Sequence, residues 1–173
     1  MQGRPSASEL ATSPFDASAL VTTIAWLRPC AALGQLLAVV AATAWLRVML
    51  PLAPLAVGIA ALALAAPLVF WRLRRPWPVG EREAFCHLAF DMLLLGWALY
   101  FTGGASNPFV TLLLAPVALS AAALSATATA AVTVLAAAIY AILIFFHVPL
   151  PDMPMHGDAS GFRLHLIGMA GNF

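Results

Sequence analysis

Two polar side chains that could exchange a proton lie inside an apolar stretch of the chain. Asp91 is the only acidic residue well inside a predicted membrane-spanning helix, and His87 precedes it by one helical turn on the same face. An ionisable group in a membrane is costly unless it is paired or hydrated, so its default interpretation is functional. A structural brace, with Asp91 bonded to Arg28 or Gln35 of the first helix, explains the pattern equally well.

The most specific motif is Gly-Gly-Ala-Ser-Asn-Pro-Phe at residues 103–109. Two glycines end a helix without a side-chain penalty and let another backbone come close. Asn107 is a good N-cap, and Pro108 suits the first position of the helix that follows. The motif therefore predicts a very short turn between antiparallel helices, and capping explains every residue except Phe109.

A binding site is the second interpretation of the same seven residues. The free N–H groups at the start of the next helix and the two amide protons of Asn107 predict an electropositive, hydrogen-bonding spot. Aromatic surface is expected beside it from Trp97, Tyr100, Phe101 and Phe109. A flat apolar molecule with carbonyl acceptors, such as a quinone, would suit this place.

Composition limits the class of protein that can carry these residues. The chain has 173 residues, of which 63% are hydrophobic and 9% charged, whereas soluble domains carry about 25% charged residues. A soluble globular enzyme is therefore excluded, and a formal net charge of +1 excludes a strongly basic nucleic-acid binder. Two cysteines, Cys30 and Cys86, are too few for a disulfide scaffold. The expected fold is an all-α, polytopic transmembrane bundle.

Five apolar stretches reach or approach the length of about 20 residues that spans a bilayer. They are residues 30–46, 51–71, 84–102, 108–124 and 127–146. A sixth stretch, 164–173, has ten residues and is too short to span, so we expect the chain to stop inside a sixth helix. The predicted organisation is an N-terminal tail and lead-in at 1–27, followed by a membrane domain at 28–173.

The arginines predict the orientation of this bundle. Arg72, Arg74, Arg75 and Arg82 crowd the connection between the second and third helices. Arg4 and Arg28 are expected before the first helix on the same side, with only Arg47 and Arg163 on the other. The positive-inside rule then places the N-terminal tail and the arginine-rich connection in the cytoplasm.

The motif Gly-Gly-x-x-Asn-Pro-Phe resembles the signature loop of the RegB/PrrB-type redox-sensing histidine kinases, which include the ActS and RoxS proteins. Residues 90–94 and 99–102 also resemble the third helix of that family. Weaker similarity lies in the first helix, at Arg28 and Gly34-Gln35, and after the fifth, at 146–151. The resemblance covers about residues 20–173.

The resemblance implies a sensor domain in the bacterial inner membrane that binds ubiquinone and reads its redox state. The implied quinone contacts are Gly103, Gly104, Asn107, Pro108 and Phe109. Oxidised quinone is expected to lower the activity of cytoplasmic kinase domains, which bind ATP and phosphorylate a response regulator in a homodimeric full-length protein. This chain lacks the sequence motifs of those domains, so no catalytic residue is predicted. The resemblance places the family's redox-active cysteine in the cytoplasmic part of the kinase, so neither Cys30 nor Cys86 is assigned that role.

Two other classes of function fit parts of the sequence. A small transporter or channel would use Asp91 and His87 as a coupling pair, although the chain has no internal repeat. An enzyme acting within the membrane would need a histidine cluster or paired carboxylates that the sequence lacks. A soft metal site is conceivable at Asp152, Met153, Met155, His156 and Asp158, but a plain loop is favoured and no metal site is predicted.

Overall fold

Five α-helices joined by short connections form the part of the chain that the computed structural model describes, residues 17–45 and 47–149. They are α1 (Ala17–Ala44), α2 (Leu52–Leu73), α3 (Glu81–Tyr100), α4 (Leu114–Ala123) and α5 (Ala126–Phe145). These two ranges contain no strand, which confirms the all-α fold. Four of the helices are long and apolar enough to cross a membrane. The exception is α4, which is shorter even with the 3-10 helix Pro108–Leu113 that leads into it. The predicted sixth stretch lies outside the described residues.

The first helix begins at Ala17, so the prediction that it starts near Cys30 is wrong. Hydropathy alone misses this segment because Thr22 and Thr23 make it look polar. Both threonine hydroxyls donate to backbone carbonyls one turn earlier, at 2.7 and 2.9 Å, and so satisfy their polar groups within the helix. Leu20, Val21 and Ile24 of this turn are buried in the core. Residues 17–27 are therefore part of the bundle and not a loose tail.

Arg28 lies within α1 and not before it, which corrects its expected position at the membrane surface. Its side chain is buried in the bundle, with 2% of the residue exposed. It therefore does not belong among the connection charges that the positive-inside rule counts. Of the four arginines expected between the second and third helices, Arg74 and Arg75 lie in the connection, Arg72 in the last turn of α2 and Arg82 in the first turn of α3.

Helix α3 lies at the centre of the bundle and contacts the other four helices. Its buried face includes Leu88, Met92 and Leu99. Gly96 faces α5 so closely that a Cβ there would lie 2.8 Å from Cγ2 of Ile139. A small residue at this point lets two helices approach, as is typical of helices that associate in lipid. Many large apolar side chains on the outside of the bundle, such as Leu37 and Val57, are exposed and available to lipid.

Candidate functional site

The Gly103–Phe109 turn joins α3 to the 3-10 helix that begins at Pro108. Gly103 has φ 98° and Gly104 has φ 61°, both in the left-handed region that glycine enters without strain. A short 3-10 helix at Gly104–Ser106 follows, and the Ser106 hydroxyl donates to the Gly103 carbonyl at 2.6 Å. The predicted tight turn is confirmed, and both glycines are required by its backbone.

Asn107 caps the next helix as predicted, with Pro108 directly after it. Its Oδ1 accepts a hydrogen bond from the Phe109 backbone N–H at 2.9 Å. Its Nδ2 donates to two atoms of Thr102, the carbonyl oxygen at 2.9 Å and Oγ1 at 2.8 Å. Both amide protons are therefore used inside the turn. The expectation that they are free for a ligand is wrong, because the side chain folds back onto the end of α3.

His147 closes the turn from the side of α5, a contact that sequence analysis did not find. A Cβ at Gly104 would lie 2.5 Å from Cβ of His147 and 2.7 Å from the Leu143 carbonyl oxygen. The His147 ring donates from Nδ1 to that same carbonyl at 3.0 Å, since a carbonyl can only accept. The Val148 N–H donates to the Tyr100 carbonyl at 2.8 Å. The end of α5 is thus fastened to the end of α3 across Gly104.

Three of the four predicted aromatic residues cluster at the end of α3. Phe101 meets the rings of both Trp97 and Tyr100 edge-on, with centroids 5.0 Å apart in each pair. Trp97 Nε1 also donates to the Pro54 carbonyl of α2 at 2.9 Å. Phe109 makes no ring contact with this trio within residues 17–45 and 47–149. Trp97, Tyr100 and Phe109 remain 44%, 36% and 37% exposed, so the turn presents aromatic surface beside buried glycines.

A second polar region joins α1 to α3; we call it the buried ion cluster after Arg28, which is buried, and it includes the half-buried His87 and Asp91. Arg28 Nε donates to Asp91 Oδ1 at 2.8 Å. Arg28 Nη2 lies 3.3 Å from His87 Nδ1 and 3.4 Å from the His87 carbonyl oxygen. The guanidinium also lies over the ring of Phe90, with Cζ 5.4 Å from the ring centroid.

The geometry of the buried ion cluster matches the structural brace predicted for Asp91. Arg28 is the partner; Gln35, the other candidate, makes no hydrogen bond to Asp91 in the described part of the chain. His87 Nδ1 faces a guanidinium, which only donates, so in this contact Nδ1 accepts and the ring proton lies on Nε2. Asp91 and His87 are thus both bonded to Arg28 and are not bonded directly to each other.

Over 131 residues the chain is 38% identical to the sensor histidine kinase RegB of Cereibacter sphaeroides. The match takes in 74% of this chain but 28% of RegB, so the chain spans little more than a quarter of the relative's length. Neither a family model nor a solved structure matches the chain. The identity supports a relationship to RegB-like sensor kinases, and with the four apolar helices it indicates a membrane protein. It does not favour a transporter.

Proposed function

We propose that this chain is the membrane sensor domain of a two-component histidine kinase and reads the redox state of the quinone pool. The observation that carries the proposal is the 38% identity to a sensor histidine kinase over 131 residues, which is 74% of this chain. The ligand is proposed to be ubiquinone, bound at the Gly103–Phe109 turn. The sensor is proposed to lie in the bacterial inner membrane with its N-terminus in the cytoplasm.

The turn supports this site through aromatic surface more than through polar donors. Because both amide protons of Asn107 are used by Thr102, the side chain shapes the site without offering a donor to the ligand. Phe109, Trp97 and Tyr100 are partly exposed and can contact a flat ring. Gly103 and Gly104 are buried and let the turn pack closely, and the space beside Gly104 is filled by His147, so the expectation that this glycine leaves room for a ligand is wrong. A quinone ring is therefore proposed to lie against these aromatic side chains with its tail in lipid.

Signalling would follow from a shift between two helix arrangements. A ligand changes this equilibrium only if it binds one arrangement better than the other. The contact of Gly104 with His147 gives such a ligand a route to α5, because the turn packs directly against the residues that follow this helix. Oxidised quinone is proposed to favour the arrangement with low kinase activity. The ATP-binding domain, the homodimer contact and the response regulator partner are proposed for the full-length kinase.

Binding of a short-chain ubiquinone to the purified chain in lipid nanodiscs tests the site. Phe109→Ala removes an exposed ring without opening the core, and we expect it to weaken binding by about tenfold. The matched control is Phe145→Ala, which removes an exposed phenylalanine at the end of α5. Saturable binding that Phe109→Ala leaves unchanged would reject the site, and no saturable binding to the unaltered chain would reject the ligand.

A full-length kinase that carries this sensor tests the signalling step. Phe109→Ala and Asn107→Ala are expected to uncouple autophosphorylation from the quinone redox state. Asn107→Ala acts by loosening the turn and Phe109→Ala by removing a ligand contact, so only the latter should leave the thermal stability of the sensor unchanged. A normal redox response in both variants would contradict the proposal.

A further inference from the structure

The end of the bundle where α2 passes into α3 carries most of the charge of the described residues. We define the arginine-rich end as residues 71–83, Trp-Arg-Leu-Arg-Arg-Pro-Trp-Pro-Val-Gly-Glu-Arg-Glu. It holds four arginines and two glutamates. The opposite end, where α1 passes into α2, has Arg47 as its only charged side chain among the described residues.

Both carboxylates of the arginine-rich end are already occupied. Glu83 Oε2 forms a salt bridge with Arg72 Nη2 at 2.8 Å. Glu81 Oε1 accepts a hydrogen bond from the backbone N–H of Ser125, at the start of α5. Neither carboxylate therefore pairs with Arg74, Arg75 or Arg82, and no other described carboxylate lies within salt-bridge distance of these three arginines. These three exposed arginines therefore have no ion-pair partner among the described residues, and four arginines against two glutamates give the arginine-rich end a net charge of +2.

Arg75 is held in place by an aromatic ring. Its Cζ lies 4.5 Å from the ring centroid of Trp71, a cation–π contact that orients the guanidinium. The guanidinium N–H groups of Arg75 donate no hydrogen bond within the described part of the chain, so they remain available. Trp71 and Trp77 are 59% and 70% exposed. Exposed tryptophans at the end of an apolar helix are typical of the membrane–water interface.

Arg82 stands where the fold itself disfavours a cation. It lies in the first turn of α3, and the amino end of a helix carries a partial positive charge. Glu81 and Glu83 of the same turn offset that partial charge, and only Glu83 is paired with an arginine, Arg72. Arg82 forms no ion pair with either glutamate, so its charge adds to the net positive charge of the arginine-rich end.

We propose that the arginine-rich end binds the phosphodiester headgroups of acidic phospholipids, with Arg74 and Arg75 as the contacting residues and Arg82 adding to the local positive potential. Arginine suits this ligand because its planar fork can donate two parallel hydrogen bonds to phosphate oxygens. We take the bilayer as the source of the phosphate because Arg74 and Arg75 follow directly on the apolar helix α2. They also lie between two exposed tryptophans in the sequence. This site is separate from the Gly103–Phe109 turn and does not depend on quinone binding.

The test compares spin-labelled phosphatidylglycerol with spin-labelled phosphatidylcholine in bilayers that contain the 173-residue chain. Electron spin resonance gives the relative association constant of the two lipids at the protein surface. We expect phosphatidylglycerol to be preferred, and Arg74→Gln/Arg75→Gln to lower the preference by about fivefold for each arginine removed. The matched control, Arg47→Gln, removes an exposed arginine at the opposite end and should leave the preference unchanged.

Added salt is a second test that needs no variant. A preference that comes from exposed arginines should fall as ionic strength rises, since the Debye length shortens to about 3 Å at 1 M salt. The proposal is overturned if the unaltered chain shows no preference or one that resists salt. It is also overturned if the double variant keeps the preference while its helical content is unchanged, or if Arg47→Gln loses it equally.

Discussion

The buried ion cluster and the Gly103–Phe109 turn are the two polar regions inside an otherwise apolar bundle. They differ in the sequence separation of the residues that bond to each other. Arg28 meets Asp91 across 63 positions of the chain. Asn107 meets Thr102 across five positions, and its Oδ1 reaches Phe109 two positions away. The first region joins two helices that are distant in sequence, and the second shapes one corner between neighbouring helices.

The two regions also differ in how they tolerate the loss of a partner. A buried charge that loses its counter-charge stays charged in an apolar surrounding. The free-energy cost of that unpaired charge is far larger than the stabilisation that the intact pair provided. Loss of a capping side chain leaves a backbone N–H without its partner near the surface. There, water or another acceptor can replace the missing hydrogen bond. Removing a partner from the buried ion cluster should therefore lower the free energy of unfolding more than removing the cap from the turn.

Removing one member of the ion pair is expected to have the largest effect. Asp91→Leu leaves the Arg28 guanidinium buried without a carboxylate, and we expect the free energy of unfolding to fall by about 3–5 kcal/mol. The double variant Arg28→Met/Asp91→Leu removes both charges and should recover most of that loss. Denaturant unfolding in mixed micelles, followed by helical circular dichroism, measures both. A double variant as unstable as Asp91→Leu would show that packing, and not charge, causes the loss.

Gly104→Ala should have the next largest effect, since it adds a side chain where the turn has a positive φ and no free space. The new Cβ would meet His147 and the Leu143 carbonyl at 2.5 and 2.7 Å, on a residue with φ 61°. We expect a loss of about 2–3 kcal/mol from strain and overpacking together. Gly34→Ala is the matched control, because nothing lies within 4 Å of that Cβ in the interior of α1. It should stabilise the chain by about 0.5–1 kcal/mol. Equal effects of the two substitutions would contradict the contact with His147.

What could be predicted from the sequence follows the same division into short and long range. The turn, the cap at Asn107 and the existence of the helices depend on neighbouring residues, and the structure confirms them. The partner of Asp91 depends on how α1 lies against α3, so sequence alone predicts Arg28 only as one of two candidates. Arg28 itself is predicted to precede the helix because the apolar stretch that marks the first helix begins at residue 30.

The contact between Gly104 and His147 could not be predicted for a related reason. The sequence shows that glycine is suited to a tight turn, but it does not show which distant segment comes close enough to need it. The start of α1 is not predicted by hydropathy because hydropathy counts Thr22 and Thr23 as polar. In the helix their hydroxyls bond to backbone carbonyls and are not left exposed to lipid as free donors. Hydropathy does not account for hydrogen bonds within a helix, so it misses the start of α1. Sequence does not show contacts between distant segments, so it misses the reason for Gly104.

Asn107→Ala tests the short-range region at a residue whose three hydrogen bonds are all local. Loss of the cap and of both bonds to Thr102 should cost about 1–2 kcal/mol of unfolding free energy. Asn107→Ser is the matched control, since its hydroxyl oxygen can still cap the helix while the donors from Nδ2 to Thr102 are removed. Its effect should therefore lie between those of the unaltered chain and Asn107→Ala. A serine as destabilising as alanine would mean that the cap contributes little and the bonds to Thr102 dominate.

Trp97→Phe should give the smallest effect, and it measures how firmly the turn region is joined to α2. The substitution removes the hydrogen bond from Nε1 to the Pro54 carbonyl, 2.9 Å long, while it keeps an aromatic ring near Phe101. Because a single neutral hydrogen bond is replaced partly by solvent or lipid contacts, we expect a loss of about 0.5–1 kcal/mol. Trp45→Phe is the matched control, since Trp45 is exposed and makes no such bond within the described residues. If Trp97→Phe instead cost as much as Asp91→Leu, the junction of α2 with α3 would be a long-range brace comparable to the buried ion cluster, and the contrast between the two polar regions would no longer hold.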